Sequence, residues 1–404
     1  MNKSFILPLC AVVVFLLVPA AFSAQEADGA ADSTNGGGER VYAHTGLGDD
    51  DFARSLLATM RAEDFYNAGR YGAALEEFNK AIELMPDRMY AAWIGRGNLY
   101  YSIRKDYERA LADYTEVIRR VPEDYVPYKY EFIRRHAPGQ VFFAYYGRAN
   151  VYADRGEYEK AVADYTAAIR LWPEHSSPWL FRAVSYIALG EDDKAIADYT
   201  RVIALGDDDA RRMNPLNLTG AYIERAELYR KGRRYEEALA DYTEVIGRGG
   251  PNLSIAYNNR GITYRLIGEP DRAIADYDEA LRLSPHDAVT YNNRGNARKD
   301  KEDFDRAIAD YSAALRLNPD YALAYNNRGV AFRLKGDVER AIADYDEALH
   351  LRPDYAEAYS SRAYACYLKE DYVRARADWE KALQLDPNHA QARNSLEALR
   401  EMGY

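Results

Sequence analysis

An all-α solenoid of about nine helical hairpins, closed by a C-terminal helix, is the fold class this sequence predicts. Three observations carry it. The stretch from Ser254 to Asp287 returns as 288–321 and again as 322–355, at a period of 34 residues. Self-similarity at that period marks a stack of supersecondary units, each too small to bury its apolar face alone. Within the unit, Gly261 and Ala273 are small and Tyr264 and Tyr277 are aromatic, which suits two helices in close approach with rings filling the space beside them. Gly268 falls where a turn is needed, Pro270 fits a first helical turn, and Pro285 ends the second helix.

The chain as a whole is 404 residues, 48% hydrophobic and 29% charged, the balance of a folded repeat array. A net charge of −11 disfavours general attraction to nucleic acid or an anionic membrane. The two cysteines are Cys10, in the N-terminal apolar stretch, and Cys366, alone in the body. A disulfide framework or a cysteine-based metal site is therefore not expected.

Residues 1–24 read as a secretory signal peptide. Lys3 supplies the positive end, Phe5 to Val18 the apolar core, and Ala21-Phe22-Ser23 small residues at a cleavage spacing. The alternative is an uncleaved anchor through residues 5–22, almost long enough to span a bilayer. Lipid attachment at Cys10 is disfavoured by bulky Leu9 before it. Residues 25–50, rich in glycine and small polar side chains, read as a disordered linker.

Aligning on the residue equivalent to Ala273 gives nine units: 51–88, 89–124, 142–175, 176–209, 219–252, 254–287, 288–321, 322–355 and 356–389. Their key alanines run from Ala74 to Ala375. Gly or Ala stands twelve residues upstream in eight units and thirteen upstream in the second, where Gly97 precedes Ala110. An aromatic follows four residues later throughout, from Phe78 to Trp379, and Ala or Val three beyond that. The i, i+4, i+7 spacing places the alanine, the aromatic and the Ala or Val on one face of the second helix.

This pattern resembles the tetratricopeptide repeat over about Asp51 to Pro387. The resemblance implies an antiparallel helix pair per repeat, stacked into a right-handed superhelix with a concave groove. Arg298 and Cys366 replace the first-helix aromatic. The terminal proline is missing from the fourth repeat and displaced to Pro251 in the fifth. Insertions at 125–141 and 210–218 break the period. They are either tolerated surface lengthenings or contact loops, each carrying an arginine pair (Arg134, Arg135; Arg211, Arg212). Residues 388–404 read as an amphipathic capping helix with Leu396 and Leu399 on one side.

An arginine precedes the small residue in every unit, from Arg61 to Arg362, and an acid precedes the second-helix aromatic, from Glu77 to Asp378. Recurrence in phase with packing residues predicts structural ion pairs, within or between repeats.

The groove implied by the resemblance places Asn258 and Asn259, Asn292 and Asn293, and Asn326 and Asn327 inward, with Arg265, Lys299, Arg333 and Arg230 beside them. Carboxamides can donate to and accept from an extended peptide, and the cations would favour an acidic segment or a free carboxylate. The ladder is similar to that of the O-linked N-acetylglucosamine transferase repeats, but no transferase domain follows. The alternative is that these polar residues are simply solvated. The carboxylate clamp of chaperone-tail-binding repeats is not matched, since no fifth position holds lysine. Toward the N-terminus, Ile94, Tyr101, Tyr146, Leu180 and Phe181 turn the inner positions apolar, and packing is the expectation there.

The six histidines show no i, i+4 pairing, and no nucleophile elbow, phosphate loop or dinucleotide fingerprint occurs. No catalytic residue, cofactor or metal is expected. The expected function is a non-catalytic protein–protein interaction scaffold, exported to the periplasm or outside the cell. Its partners would be other proteins or peptide segments, with no nucleic acid, and with a membrane only if the leader stays uncleaved. The alternative is an envelope glycan-binding or membrane-anchored assembly factor, motivated by 36 tyrosines.

Overall fold

The computed structural model describes residues 50–87, 89–120, 139–208, 215–250 and 252–404. Among them are nineteen α-helices and no strand. The leader, the linker up to residue 49, and Arg134, Arg135, Arg211 and Arg212 lie outside the described residues. No described helix is long and apolar enough to cross a membrane.

The helices fall into two compact units, divided after Gly190. The first holds α1 (Asp50–Asn67), α2 (Tyr71–Leu84), α3 (Tyr90–Leu99), α4 (Tyr107–Arg120), α5 (Gln140–Asp154), α6 (Tyr158–Leu171) and α7 (Ser176–Ala188). The second holds α8 (Asp192–Asp208), α9 (Pro215–Lys231), α10 (Tyr235–Arg248), α11 (Leu253–Leu266), α12 (Pro270–Leu283), α13 (Ala288–Asp300) and α14 (Phe304–Leu317). It continues with α15 (Ala322–Leu334), α16 (Val338–Leu351), α17 (Ala356–Leu368), α18 (Tyr372–Leu385) and α19 (Ala390–Glu401). In each unit consecutive helices pack as hairpins, and each hairpin packs on the next. Helices α5 and α9 begin inside the stretches 125–141 and 210–218, so part of each insertion lengthens the following helix.

Close approach at the small residues builds the hairpin. A Cβ on Gly261, Gly295 or Gly329 would fall 2.7–2.8 Å from the ring of Tyr277, Tyr311 or Tyr345, so each ring lies directly against bare backbone. Those rings and the key alanines are fully buried. Five residues before every key alanine the backbone turns left-handed. Glycine fills that position at 69, 156, 190, 268 and 336, while Lys105, Arg233, Glu302 and Glu370 adopt it at a steric cost.

The thirteen-residue spacing in the second repeat has a local cause. Tyr100–Arg104 forms a π-turn at the end of α3, which absorbs one extra residue and restores the phase before Ala110. At the other end, Leu396 and Leu399 of α19 are buried against Cys366, Trp379 and Ala382, as expected of a capping helix.

Seven of the predicted arginine–acid pairs form within single repeats. Arg96–Asp113, Arg148–Asp164, Arg225–Asp241, Arg260–Asp276, Arg294–Asp310, Arg328–Asp344 and Arg362–Asp378 are all two-pronged, at 2.6–3.0 Å. Each arginine also donates its third arm to the residue after the preceding repeat's aromatic. Arg260 reaches Thr243, Arg328 reaches Ser312, and Arg362 reaches Asp346. The side chain is therefore a clamp on both hairpins at once. Arg182 and Asp198 belong to different units. The first repeat departs from the prediction. Arg61, with no described repeat before it to grip, is exposed and makes no such pair, and the buried Glu77 Oε2 has no hydrogen-bond partner among the described residues.

Candidate functional site

In the second unit, α11, α13, α15 and α17 lie side by side, each touching the next first helix in the series. The asparagine ladder sits on the first three of these helices, and the two members of each rung have different fates. Asn259, Asn293 and Asn327 are half-buried. Asn292 and Asn326 are only 1% and 4% exposed, which corrects the expectation that both members line an open groove. For Asn292 the physical reason is hydrogen bonding between repeats. Asn293 Nδ2 donates to Asn258 Oδ1 at 3.0 Å, and Asn327 Nδ2 donates to Asn292 Oδ1 at 2.9 Å. Asn258 in turn donates to Asn259 Oδ1 at 3.0 Å. Much of the ladder's bonding capacity is thus spent on holding neighbouring helices together.

The cations are engaged as well. Arg265 pairs with Asp300 at 2.9 Å, Lys299 lies 3.9 Å from the same carboxylate, and Arg230 bonds Glu227. Arg333 lies 4.8 Å over the Tyr364 ring. A row of uncommitted cations, the basis for expecting an acidic ligand, is not what the geometry provides.

Helical periodicity reveals a set of residues that sequence reasoning passed over. Four residues before Asn259, Asn293 and Asn327 stand Ile255, Val289 and Leu323, exposed by 49%, 49% and 38%. An i, i+4 relation puts each aliphatic on the same helix face as its asparagine. Further along that face, Leu266 and Leu334 are also exposed. The surface is therefore a polar amide row bordered by periodic aliphatic rows. The signal was present in the sequence as apolar residues outside the packing positions.

Beneath the face, one position decides whether the buried tyrosine is satisfied. Tyr114, Tyr165 and Tyr311 donate to Asn98, Asn150 and Asn296 at 2.6–2.8 Å, and Tyr242 donates to Glu227 at 3.0 Å. Where that position is Ile262 or Val330, the hydroxyls of Tyr277 and Tyr345 have no partner among the described residues. Burial pushes the Tyr345 phenol up to about 12 against the pull of Arg333.

The apolar inner residues of the first unit pack as expected. Ile94 and Tyr146 are buried, Tyr146 lies 6.1 Å from the Phe181 ring, and Leu180 is half-buried. Tyr101 donates to Asp154 at 2.9 Å. A shallow cleft of 410 Å³ beside Trp93 and Tyr100 is lined by Arg96 and Asp113, which already hold each other. Among the described residues, no group of three His, Cys, Asp or Glu side chains is arranged to hold a metal ion.

Family models described as tetratricopeptide repeat match residues 59–125, 146–210, 292–356 and 335–390, and a second such model matches 254–287. Together the matches cover more than half of the chain. The chain belongs to the tetratricopeptide repeat family. A crystal structure of a tetratricopeptide repeat protein from Parabacteroides merdae ATCC 43184 aligns with a TM-score of 0.52 at 20% identity, over 65% of this chain and all of that one. The crystal structure of YrrB, described as having an unusual peptide-binding site, aligns at 26% identity and a TM-score of 0.39, over 48% of this chain and 95% of that one. The DnaJ homolog subfamily C member 7 homolog of Schizosaccharomyces pombe is 41% identical over 56 residues, 14% of this chain. This chain spans only 12% of that relative's length. Tetratricopeptide repeat proteins are generally non-catalytic, and the fold is that of a protein–protein interaction scaffold.

Proposed function

We propose that the chain is an exported scaffold that holds an extended polypeptide segment across the first helices of repeats six to eight. One observation carries this reading. Asn259, Asn293 and Asn327 recur at the repeat period on one face, each with an exposed aliphatic, Ile255, Val289 or Leu323, one turn away. Amides of this kind bond a peptide backbone in any sequence, and the aliphatic rows receive its apolar side chains. Because Arg265, Lys299 and Arg230 already have acidic neighbours, apolar content rather than acidity governs selection. The glycan alternative draws less support, since Tyr257, Tyr291, Tyr325 and Tyr359 lie against the clamp arginines at 5.4–5.6 Å.

The test is an array of immobilised random octapeptides probed with the wild type and with the Asn259/Asn293/Asn327→Ala triple variant. Loss of peptide binding in a variant that still melts cooperatively is the expected result. Unchanged binding by the triple variant would remove the ladder from the site. Export rests on the leader's charge and apolar pattern; N-terminal sequencing of the protein from fractionated cells should give a chain starting near residue 25. An intact Met1 in a membrane fraction would favour the anchor.

A further inference from the structure

The amide ladder runs down as it approaches the C-terminal end. Asn258 Oδ1 accepts from Asn293 Nδ2 of the next repeat at 3.0 Å and lies 3.1 Å from Thr290 Oγ1, whose single proton it shares with Asp287 Oδ2 at 2.6 Å. One repeat on, Thr290 is replaced by Ala324, and Asn292 Oδ1 keeps one donor, Asn327 Nδ2. One repeat further, both donors are gone from the sequence, with Ala358 and Ser361 in their places. Asn326 Oδ1 is left buried without a hydrogen-bond partner among the described residues. Ser360, which replaces the asparagine itself in repeat nine, is 1% exposed, and its Oγ is likewise unpartnered.

These facts describe a single defect with a defined chemical shape. Asn326 Oδ1 lacks an N–H donor, and the Ser360 hydroxyl can donate to an acceptor. A buried acceptor left unmet is unfavourable, so any group that supplies the missing donor is favoured there. The group that performs this role in the two preceding junctions is a primary carboxamide, carried by Asn293 and Asn327. Ser361 is too short to do so and is half-buried, which leaves room at the position the amide occupies elsewhere.

We propose that the junction of repeats eight and nine selects an asparagine or glutamine side chain of the bound segment. Its carboxamide N–H meets Asn326 Oδ1 and its carbonyl accepts from Ser360 Oγ, completing in trans the rung that Ser361 does not supply. This deepens the peptide-binding reading and rests on it. Small side-chain rotations give access, since Asn327 and Ser361 on either side are only half-buried.

A positional-scanning octapeptide array, probed with the full chain, tests the proposal. The wild type should favour Asn or Gln over Ala, Asp and Glu at one position by roughly tenfold, the worth of one buried hydrogen bond. Ser361→Asn supplies the rung from within, so it should bind peptides while losing that preference, and should melt higher than wild type. Asn326→Ala removes the acceptor and should also lose the preference with little change in melting, which guards against a folding failure of the first variant. Peptide binding with no carboxamide preference, or a preference that survives in both variants, overturns the proposal and leaves the groove reading standing. Absence of peptide binding by the wild type removes both.

Discussion

Repeat seven and its neighbours, repeats six and eight, share one backbone plan and differ in how completely their buried polar groups are met. In repeat seven, Tyr311 donates to Asn296, and Asp310 receives both Arg294 and Arg298, the latter standing where the neighbours have Tyr264 and Phe332. In repeats six and eight, Ile262 and Val330 leave the tyrosine hydroxyl unmet, and the seam aspartate has a single two-pronged arginine. The first repeat is the extreme case. Glu63 takes the position of Asn296, but Phe78 opposite has no hydroxyl to donate, and burial, with Asp64 beside it, pushes the Glu63 carboxyl up to about 7. The comparison teaches that the arginine clamp and the small-residue contact fix the hairpin. The position one residue beyond the small residue then sets local stability and polarity without altering the fold.

The largest expected effect separates the clamps. Arg328→Met strands Asp344 in a buried site and should cost about 3 kcal/mol in chemical denaturation. Arg294→Met should cost clearly less, because Arg298 still bonds Asp310 at 2.8 Å. Arg61→Met, at an exposed and unclamped site, should be nearly silent. Equal costs at all three would mean that the pairs do not bear the repeat contacts.

Glu63 supplies a pH signature. Its folded pKa lies above the unfolded value, so its stabilising contribution is full below about pH 4.5 and is lost as pH rises through 7. Glu63→Gln should therefore melt higher than wild type at pH 8, by about 1–2 kcal/mol after allowance for partial exposure, with the gap closing by pH 4. Half-buried His175, whose pKa burial lowers to about 4, works in the opposite sense. Its contribution is present above pH 6.5 and fades as pH falls toward 4. A Glu63→Gln variant with the same pH profile as wild type would contradict the assignment.

Smaller effects sharpen the same contrast. Tyr311→Phe should cost about 1 kcal/mol by stranding Asn296, whereas Tyr277→Phe and Tyr345→Phe, which remove unmet hydroxyls, should be neutral or slightly stabilising. Glu302→Gly relieves a left-handed turn at φ 61° and should gain about 0.5–1 kcal/mol, the reverse of the usual loss on introducing glycine. Urea denaturation of each variant reads both.

Much of the architecture was legible in the sequence because packing residues recur in phase. The key alanines, the aromatics, the capping leucines and seven of the nine arginine pairs fell where periodicity put them. Three features were not legible, one local to the backbone and two dependent on contacts between repeats. The thirteenth residue before Ala110 was visible, but only the backbone shows it taken up as a π-turn at Tyr100–Arg104. The third arm of each arginine crosses to the preceding repeat, so the failure at Arg61 could not be foreseen from a single unit. The ladder looked like six equivalent amides. Half-buried Asn293 and Asn327 instead donate back to the preceding repeat, while Asn292 and Asn326 are buried, so a rung meets its neighbour's side chain before it meets a ligand. Ile255, Val289 and Leu323 read as core from sequence, since an apolar residue on a helix shows its exposure only once its neighbours are placed.

Alanine–aromatic packing and arginine clamps build the array, while the first helices of repeats six to eight and the junction to repeat nine are proposed to bind. Amide hydrogen exchange, followed by mass spectrometry with and without the strongest octapeptide from the array, tests it most directly. The account predicts slowed exchange confined to α11, α13, α15 and α17, with α12, α14 and α16 unchanged. Protection centred on those second helices, or in the first unit, would contradict it.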